Sequence, residues 1–399
     1  MASAILRRRG RSNNARLAVD DHGNGPAGRQ SRVPAGGSRG ESGPPVARPV
    51  RGRRRCAGTY RDREPAMTAV VTGPALGTMV RDIVGDHLSG RQTRTVVVAM
   101  SRDANPKAIV MVFVDGAASP TLALKIGLTG VAGRSVDAEA RALRGLAAVD
   151  PTMVHYTVPR CLELRETPLG TALVMTARAG VPMAIDYHRW RHSSQPQRVR
   201  HDFARVDRWL SQLARRSGST AVPPRWTDGI RARFGPQVVD ECLAAATQSM
   251  EGELERPDLC AVVHGDFWCG NILQTAGEVS GVVDWEHAVV GGDPVRDRAR
   301  FALSYSLYLD RHTRPGSPVR GHPGLRAGPW GAGIRYAVRG RGWYPELVAG
   351  FVGDALEATG RSRDLWRAAM LTGLAEIAVR SDHDDFARQH LELLRDLVA

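Results

Sequence analysis

Two kinds of hydrophobic periodicity alternate along the chain. Residues 95–100, 108–114 and 121–126 are short runs rich in Val, Ile, Leu and Thr, separated by turn formers, and they predict three consecutive antiparallel strands. Ala140, Leu143 and Ala147 then recur at helical spacing with charges between them, which predicts a helix from about Ser135. Residues 171–176 predict a further strand. Strands, one helix and strands again imply a small mixed sheet with a helix packed on it.

From Pro182 onward helical spacing dominates. Val206, Trp209, Leu210 and Leu213 form one stripe, and Val238, Val239, Cys242, Leu243 and Ala246 a second. Trp366, Ala369, Met370, Gly373, Leu374 and Ile377 form a third, and Ala387, Leu391, Leu394 and Val398 a fourth. Residues 310–345 hold eight Gly and five Pro and are expected to be one long loop. The expected class is α+β, with a sheet-bearing lobe over residues 67–177 and a larger, mostly helical lobe over 178–399.

Charge changes the picture only at the start. Residues 1–66 carry 15 Arg against five acids, a net +10 that leaves +4 of the chain's +14 for everything after them. With 10 Gly, 6 Pro and few large apolar residues, this leader has too little surface to bury and is expected to be disordered. Three readings of it stay open. It would be an appendage that binds nucleic acid or anionic lipid, an organellar transit peptide, or a stretch upstream of a true start at Met67, a gene-model artefact or an inert tail. Nucleic acid is otherwise not an expected partner. The five Cys are scattered with no Cys-x-x-Cys pair, which disfavours a disulfide framework or zinc knuckle. No apolar run is long enough to span a bilayer. No membrane partner is expected, and the cytoplasm is the expected location.

Within the helical half lies a β-rich insert that carries the chemistry. Residues 272–274 and 281–283 predict two brief strands with Gly277 in their connection. If 272 pairs with 283, Asn271 falls opposite Asp284, and Asp266, five residues earlier, faces the same point. Two carboxylates and an amide converging there suit Mg²⁺, a hard cation that takes one or two carboxylates and keeps several waters. A carboxylate left off the metal is free to accept a hydroxyl proton.

His264-Gly265-Asp266-Phe267-Trp268-Cys269-Gly270-Asn271, then Val283-Asp284-Trp285-Glu286 and Gly292-Asp293-Pro294 with Asp297, resemble the aminoglycoside phosphotransferase and choline kinase family. That family is a branch of the protein-kinase-like fold. The resemblance runs over residues 80–399 in order and is strongest over 261–300. It implies a two-lobe kinase that moves the γ-phosphoryl group of ATP or GTP to a small-molecule hydroxyl, with Mg²⁺ as cofactor. It implies Asp266 as catalytic base and Asn271 and Asp284 as metal ligands. Lys125 would hold phosphates, oriented by Glu139, and backbone groups of Met175 to Ala177 would read the base. His264, Trp285, Asp293 and Asp297 are assigned to support, with Asp293 expected as the N-cap of a helix whose first residue is Pro294.

Two departures stand out. The loop at 101–107, expected to cover the phosphates, has no Gly, and Thr176 stands where many relatives carry Glu. They motivate an alternative, a catalytically weak or inactive nucleotide-binding relative with a regulatory role. A metal hydrolase built on His264, Asp266 and Asp284 is a third reading, and it leaves Lys125 and Glu139 idle. The expected acceptor is a hydroxyl of a sugar, an aminoglycoside-like compound or an amino alcohol. Glu376, Asp382, Asp384 and Asp385 are the acids a polycationic acceptor would need.

Overall fold

The computed structural model describes residues 73–100, 105–149, 156–216, 226–238 and 260–398. The leader, Met67, residues 101–104 and the stripe positions Val239, Cys242, Leu243 and Ala246 lie outside them. Five strands form an antiparallel sheet: β1 (Thr93–Met100), β2 (Lys107–Val114), β3 (Leu122–Gly127), β4 (Cys161–Thr167) and β5 (Gly170–Thr176). Their spatial order is β1-β2-β3-β5-β4.

Each face of this sheet is covered by one helix. Leu122, Leu124 and Ile126 of β3 join Ala172 and Val174 of β5 in a core with Leu76, Val80 and Ile83 of α1 (Gly73–His87). The intervening residues Ala123, Leu173 and Met175 face the other way, onto Val136, Ala140 and Leu143 of α2 (Gly130–Val149). Because strand side chains alternate, Lys125 is placed on the α2 side by the same period that buries its neighbours Leu124 and Ile126. The α2 helix starts earlier than its apolar stripe near Ser135 suggested. Thr129 accepts the Ala132 N–H at 3.2 Å and so caps a first turn that Gly130 and Gly133 had hidden from the pattern.

The remaining residues are mostly helical. They form β6 (Val181–Pro182), α3 (Met183–Tyr187), α4 (Pro196–Arg216), α5 (Trp226–Phe234), β7 (Ala261–Val263), β8 (Ile272–Thr275), β9 (Glu278–Val282) and β10 (Val289–Gly292). Then come α6 (Val295–Leu307), α7 (Ala332–Arg339), α8 (Trp343–Glu357), α9 (Trp366–Arg380) and α10 (Asp384–Val398). The α+β class expected from the sequence is the one observed. An aromatic cluster centres this part: Phe203 of α4 lies 5.2 Å from Phe301 and Tyr305 of α6 and 5.0 Å from Phe351 of α8, ring centre to ring centre.

One expectation fails here. Residues 310–345 are not a single loop, since they include α7 and the start of α8. The helical stripe of Ile334, Ala337 and Val338 is short and flanked by Gly331 and Gly340, so glycine content outweighed it in the sequence pattern. Among the described residues no helix is long and apolar enough to cross a membrane, and no disulfide links the Cys.

The C-terminal helix supplies a pH test of this packing. His390 is 1% exposed, and burial, against the pull of the Phe386 carbonyl, pushes its imidazole down to about 3. The unfolded chain takes up a proton below about pH 6.5 that the folded chain refuses. Stability is therefore expected to fall by roughly 1.4 kcal/mol per pH unit between about pH 6.5 and pH 3 from this residue. Urea midpoints measured across that range should show the slope, and His390→Leu should flatten it.

Candidate active site

Three backbone segments meet at Lys125. From β3 its Nζ reaches Glu139 Oε2 of α2 at 2.6 Å and Glu286 Oε2 at 3.2 Å, and it also donates to Asp284. The other oxygen of Glu139 accepts the Trp285 N–H at 3.2 Å, so one buried carboxylate ties the sheet, α2 and the segment after β9 together. Burial disfavours the Lys125 ammonium, but Asp284, Glu139 and Glu286 outweigh it and hold the amine charged. Burial likewise raises Asp284, and Lys125 reverses this and holds its carboxyl well below the usual carboxylate range. The metal-hydrolase reading leaves Lys125 and Glu139 idle, whereas both make contacts here.

The insert pairs one residue out of the expected register. Ala276 and Gly277 make the two-residue turn, with φ of 51° and 83°, so Thr275 pairs with Glu278. A bulge then shifts the ladder so that Ile272 pairs with Val282, and not with Val283. Asn271 therefore stands beside Val283, whose N–H donates to the Asn271 carbonyl at 3.0 Å, and is not directly opposite Asp284. Asp284 instead turns back through a left-handed conformation, φ 74°, which is strained for a side-chain-bearing residue and delivers its carboxylate to Lys125.

Asp266 and Asn271 do come together. Asn271 Nδ2 donates to Asp266 Oδ2 at 3.1 Å and to the Asp266 carbonyl at 2.9 Å. Burial would raise the Asp266 carboxyl, and Arg300 beside it more than compensates and lowers it. Arg300 donates to Asp266 Oδ1 from Nε at 3.1 Å and from Nη2 at 2.5 Å.

The supporting residues lock this loop. Asp297 accepts the N–H groups of His264 at 2.7 Å and Gly265 at 2.9 Å. The Asp266 N–H donates to His264 Nδ1 at 3.2 Å, which leaves the Nε2 proton for the Val283 carbonyl at 3.0 Å. His264 so stitches the loop to the hairpin, and its ring packs 4.6 Å from that of Trp285. Gly265 has φ 79°, and a Cβ there would lie 2.3 Å from the His287 carbonyl oxygen, so only Gly fits. Asp293 accepts the Val295 N–H at 3.0 Å and forms a two-toothed pair with Arg361 at 2.8 Å. The α6 helix begins one residue later than expected, with Pro294 at its cap position.

At the expected base-reading segment, Met175 pairs with Ala123 and Cys161 in the sheet, and the Ala177 N–H donates to the Thr121 carbonyl at 3.0 Å. The acids proposed for a polycationic acceptor already have partners. Glu376 pairs with Arg296 at 2.5 Å, Asp384 with Arg233 at 3.1 Å and Asp385 with Arg388 at 2.7 Å, while Asp382 accepts from Asn105 at 2.8 Å.

Glu286, Lys107 and Arg300 are site residues that sequence reasoning missed. Lys107 donates to Glu286 Oε2, so the chain's two lysines converge on one carboxylate oxygen. That pair had a signal, since only Lys107 and Lys125 are lysines among 55 basic residues. Arg300 had none. Glu139, Asp284 and Glu286 offer oxygens that all lie within 4.8 Å of one another, a hard donor set that fits a divalent cation.

The family model of the phosphotransferase enzyme family matches residues 109–321, more than half of the chain. The hygromycin-B 4-O-kinase of Escherichia coli is 29% identical over 170 residues, which are 39% of this chain and 49% of that protein. The chain thus spans about half the length of this curated relative. A solved aminoglycoside phosphotransferase from Streptomyces rimosus, in complex with ADP and streptomycin, is 15% identical, with 75% of this chain and 97% of that one covered and a TM-score of 0.43. A macrolide 2'-phosphotransferase from Brachybacterium faecium is 17% identical, with 74% and 97% covered and a TM-score of 0.35. With a family model that runs from within β2 through the β8–β9 hairpin to residue 321, the chain belongs to the phosphotransferase enzyme family.

Proposed function

We propose that the chain is a small-molecule kinase that transfers the γ-phosphoryl group of ATP or GTP to an acceptor hydroxyl. One observation carries the reading. In a member of this family, a buried strand lysine is fixed by a helix glutamate and touches Asp284, while Asn271 touches Asp266. The sheet-bearing lobe, residues 67–177, takes the nucleotide, whose base meets backbone groups of Met175 to Ala177. The lobe at 178–399 takes the acceptor.

Asp284 and Asn271 would hold Mg²⁺, and Glu286, with an oxygen within 4.8 Å of one of Asp284, would be close enough to share it. When bound, the cation would supply positive charge against the transferring phosphates. Lys125 turns from the carboxylates to the phosphates, and Glu139 keeps it aimed. Asp266 orients the acceptor hydroxyl and takes its proton through the carboxylate oxygen that Arg300 now covers. Fixed charges and fixed positions, more than covalent chemistry, supply the rate. That same Arg300 contact is what favours the second reading, a weakly active nucleotide-binding relative, because it occupies the base.

Asp266→Ala and Asp284→Ala are each expected to abolish turnover, read as ADP formation with a panel of hydroxyl compounds. Asp284→Ala should also weaken Mg²⁺-dependent nucleotide binding, whereas Asp266→Ala should spare it. An unchanged rate in either variant contradicts the assignment. Lys125→Met leaves three carboxylates crowded without their ammonium, and urea unfolding should show a loss of about 3–5 kcal/mol. Millimolar Mg²⁺ should restore part of that loss by taking the ammonium's place.

A further inference from the structure

The surface leading away from Asp266 has a consistent character. Of the 13 residues of α6, only Arg300 and Ser304 are not buried. Tyr308 follows at the helix end and is half-buried. Positions 300, 304 and 308 are four apart, so they line one face of the helix over about 12 Å. The near end of this stripe is the guanidinium that holds Asp266 Oδ1.

The far end is aromatic and basic. The Tyr308 ring meets that of His188 edge-on at 5.8 Å. Two residues further on, Trp190 is 65% exposed and stands edge-on to His312 at 5.5 Å. Arg311 donates from Nε to His312 Nε2 at 3.0 Å, and its Nη1 is buried with no hydrogen-bond partner among the described residues. Asp310, beside it in sequence, directs its carboxylate to the Gly328 N–H at 3.2 Å. Glu376, Asp382, Asp384 and Asp385 each have a partner, as described above. A polyamine laid along this stripe would meet guanidinium groups, and the carboxylates beside it, Asp266 and Asp310, each already accept a hydrogen bond. An oxyanion would give the enclosed, unpartnered Nη1 of Arg311 a partner once that side chain turns outward, and would lie near a second cation, Arg300, with a ring body seated against Trp190.

We propose that the acceptor is a hydroxyl compound with a ring body and an anionic group, a carboxylate or a phosphate, bound along the stripe from Arg300 to Arg311. This rests on Asp266 being the catalytic base. The hydroxyl reaches Asp266 while the anionic group, up to about 12 Å away, pairs with Arg311.

The test uses the full chain with MgATP and acceptors matched in shape but not in charge. Glucuronate and glucose 6-phosphate carry the two anionic groups, glucose is neutral, and glucosamine and streptomycin are cationic; disaccharide uronates, neutral disaccharides and further aminoglycosides extend each class. ADP release should show the anionic class ahead of the cationic by about tenfold or more in kcat/KM, and the two anionic arms say whether carboxylate or phosphate is preferred. Arg311→Glu should raise KM for anionic acceptors by about tenfold, the loss of one well-made ionic contact. Trp190→Ala, at an exposed site that does not threaten folding, should raise KM for all ring acceptors alike. The proposal is overturned if cationic acceptors are turned over best, if Arg311→Glu leaves KM for the anionic class unchanged, or if no class is turned over while MgADP still binds. Absence of MgADP binding, followed by tryptophan fluorescence, would instead strike the kinase reading underneath it.

Discussion

A buried ammonium among three carboxylates is the constraint on which the rest of this structure depends. Lys125 is 4% exposed, and it joins a sheet strand, the helix packed on that strand and the segment after the β8–β9 hairpin. Such a cluster is a poor source of stability, because removing four charged groups from water costs several kcal/mol per ion before any attraction is counted. What it fixes is geometry. With Glu139 bonded to both Lys125 and the Trp285 backbone, the helix cannot shift without moving the segment that carries Asp284.

The second half of the site is held by a different device. Asp297 anchors the loop before Asp266 through two backbone amides, and His264 links that loop to the hairpin through the Val283 carbonyl. Behind them Trp209 stacks on Phe267 at 5.4 Å, so apolar packing backs the hydrogen bonds. Asp266 is thus presented from a rigid base, with one oxygen held by Arg300 and the other by Asn271. Such a support fixes a side chain in position, which is what positioning catalysis requires.

The parts of this arrangement legible in the sequence share one property: they follow from local pattern. Lys125 fell on the third strand and Glu139 on the helix after it, and the spacing of Asp266 and Asn271 brought those two side chains together. The hairpin register was not legible in the same way, because it depends on a bulge near Ser280, whose hydroxyl donates to the Ala179 carbonyl at 2.7 Å, a contact from far along the chain. Arg300 escaped for a related reason. In a chain with 53 arginines nothing local distinguishes the one that will fold against Asp266. The helix at 332–339 was hidden by its flanking glycines, which break the pattern without breaking the helix.

The charge balance of the site ties its parts together. Lys107, Lys125 and Arg300 face Asp266, Asp284, Glu286 and Glu139, three cations against four carboxylates in one partly dry space. A triphosphate arriving alone would add charge of the sign already in excess. One arriving with a divalent cation brings compensation with it, and each lysine can then exchange a carboxylate for a phosphate oxygen without leaving either unpaired. Asp266 differs from the others because its balancing cation comes from α6 and not from the sheet. Under the proposed function the two halves of the site would therefore fill independently, the lysine side with nucleotide and metal, the Arg300 side with acceptor. The acceptor's charge would then be set by what α6 and the residues after it present, whatever the nucleotide brings.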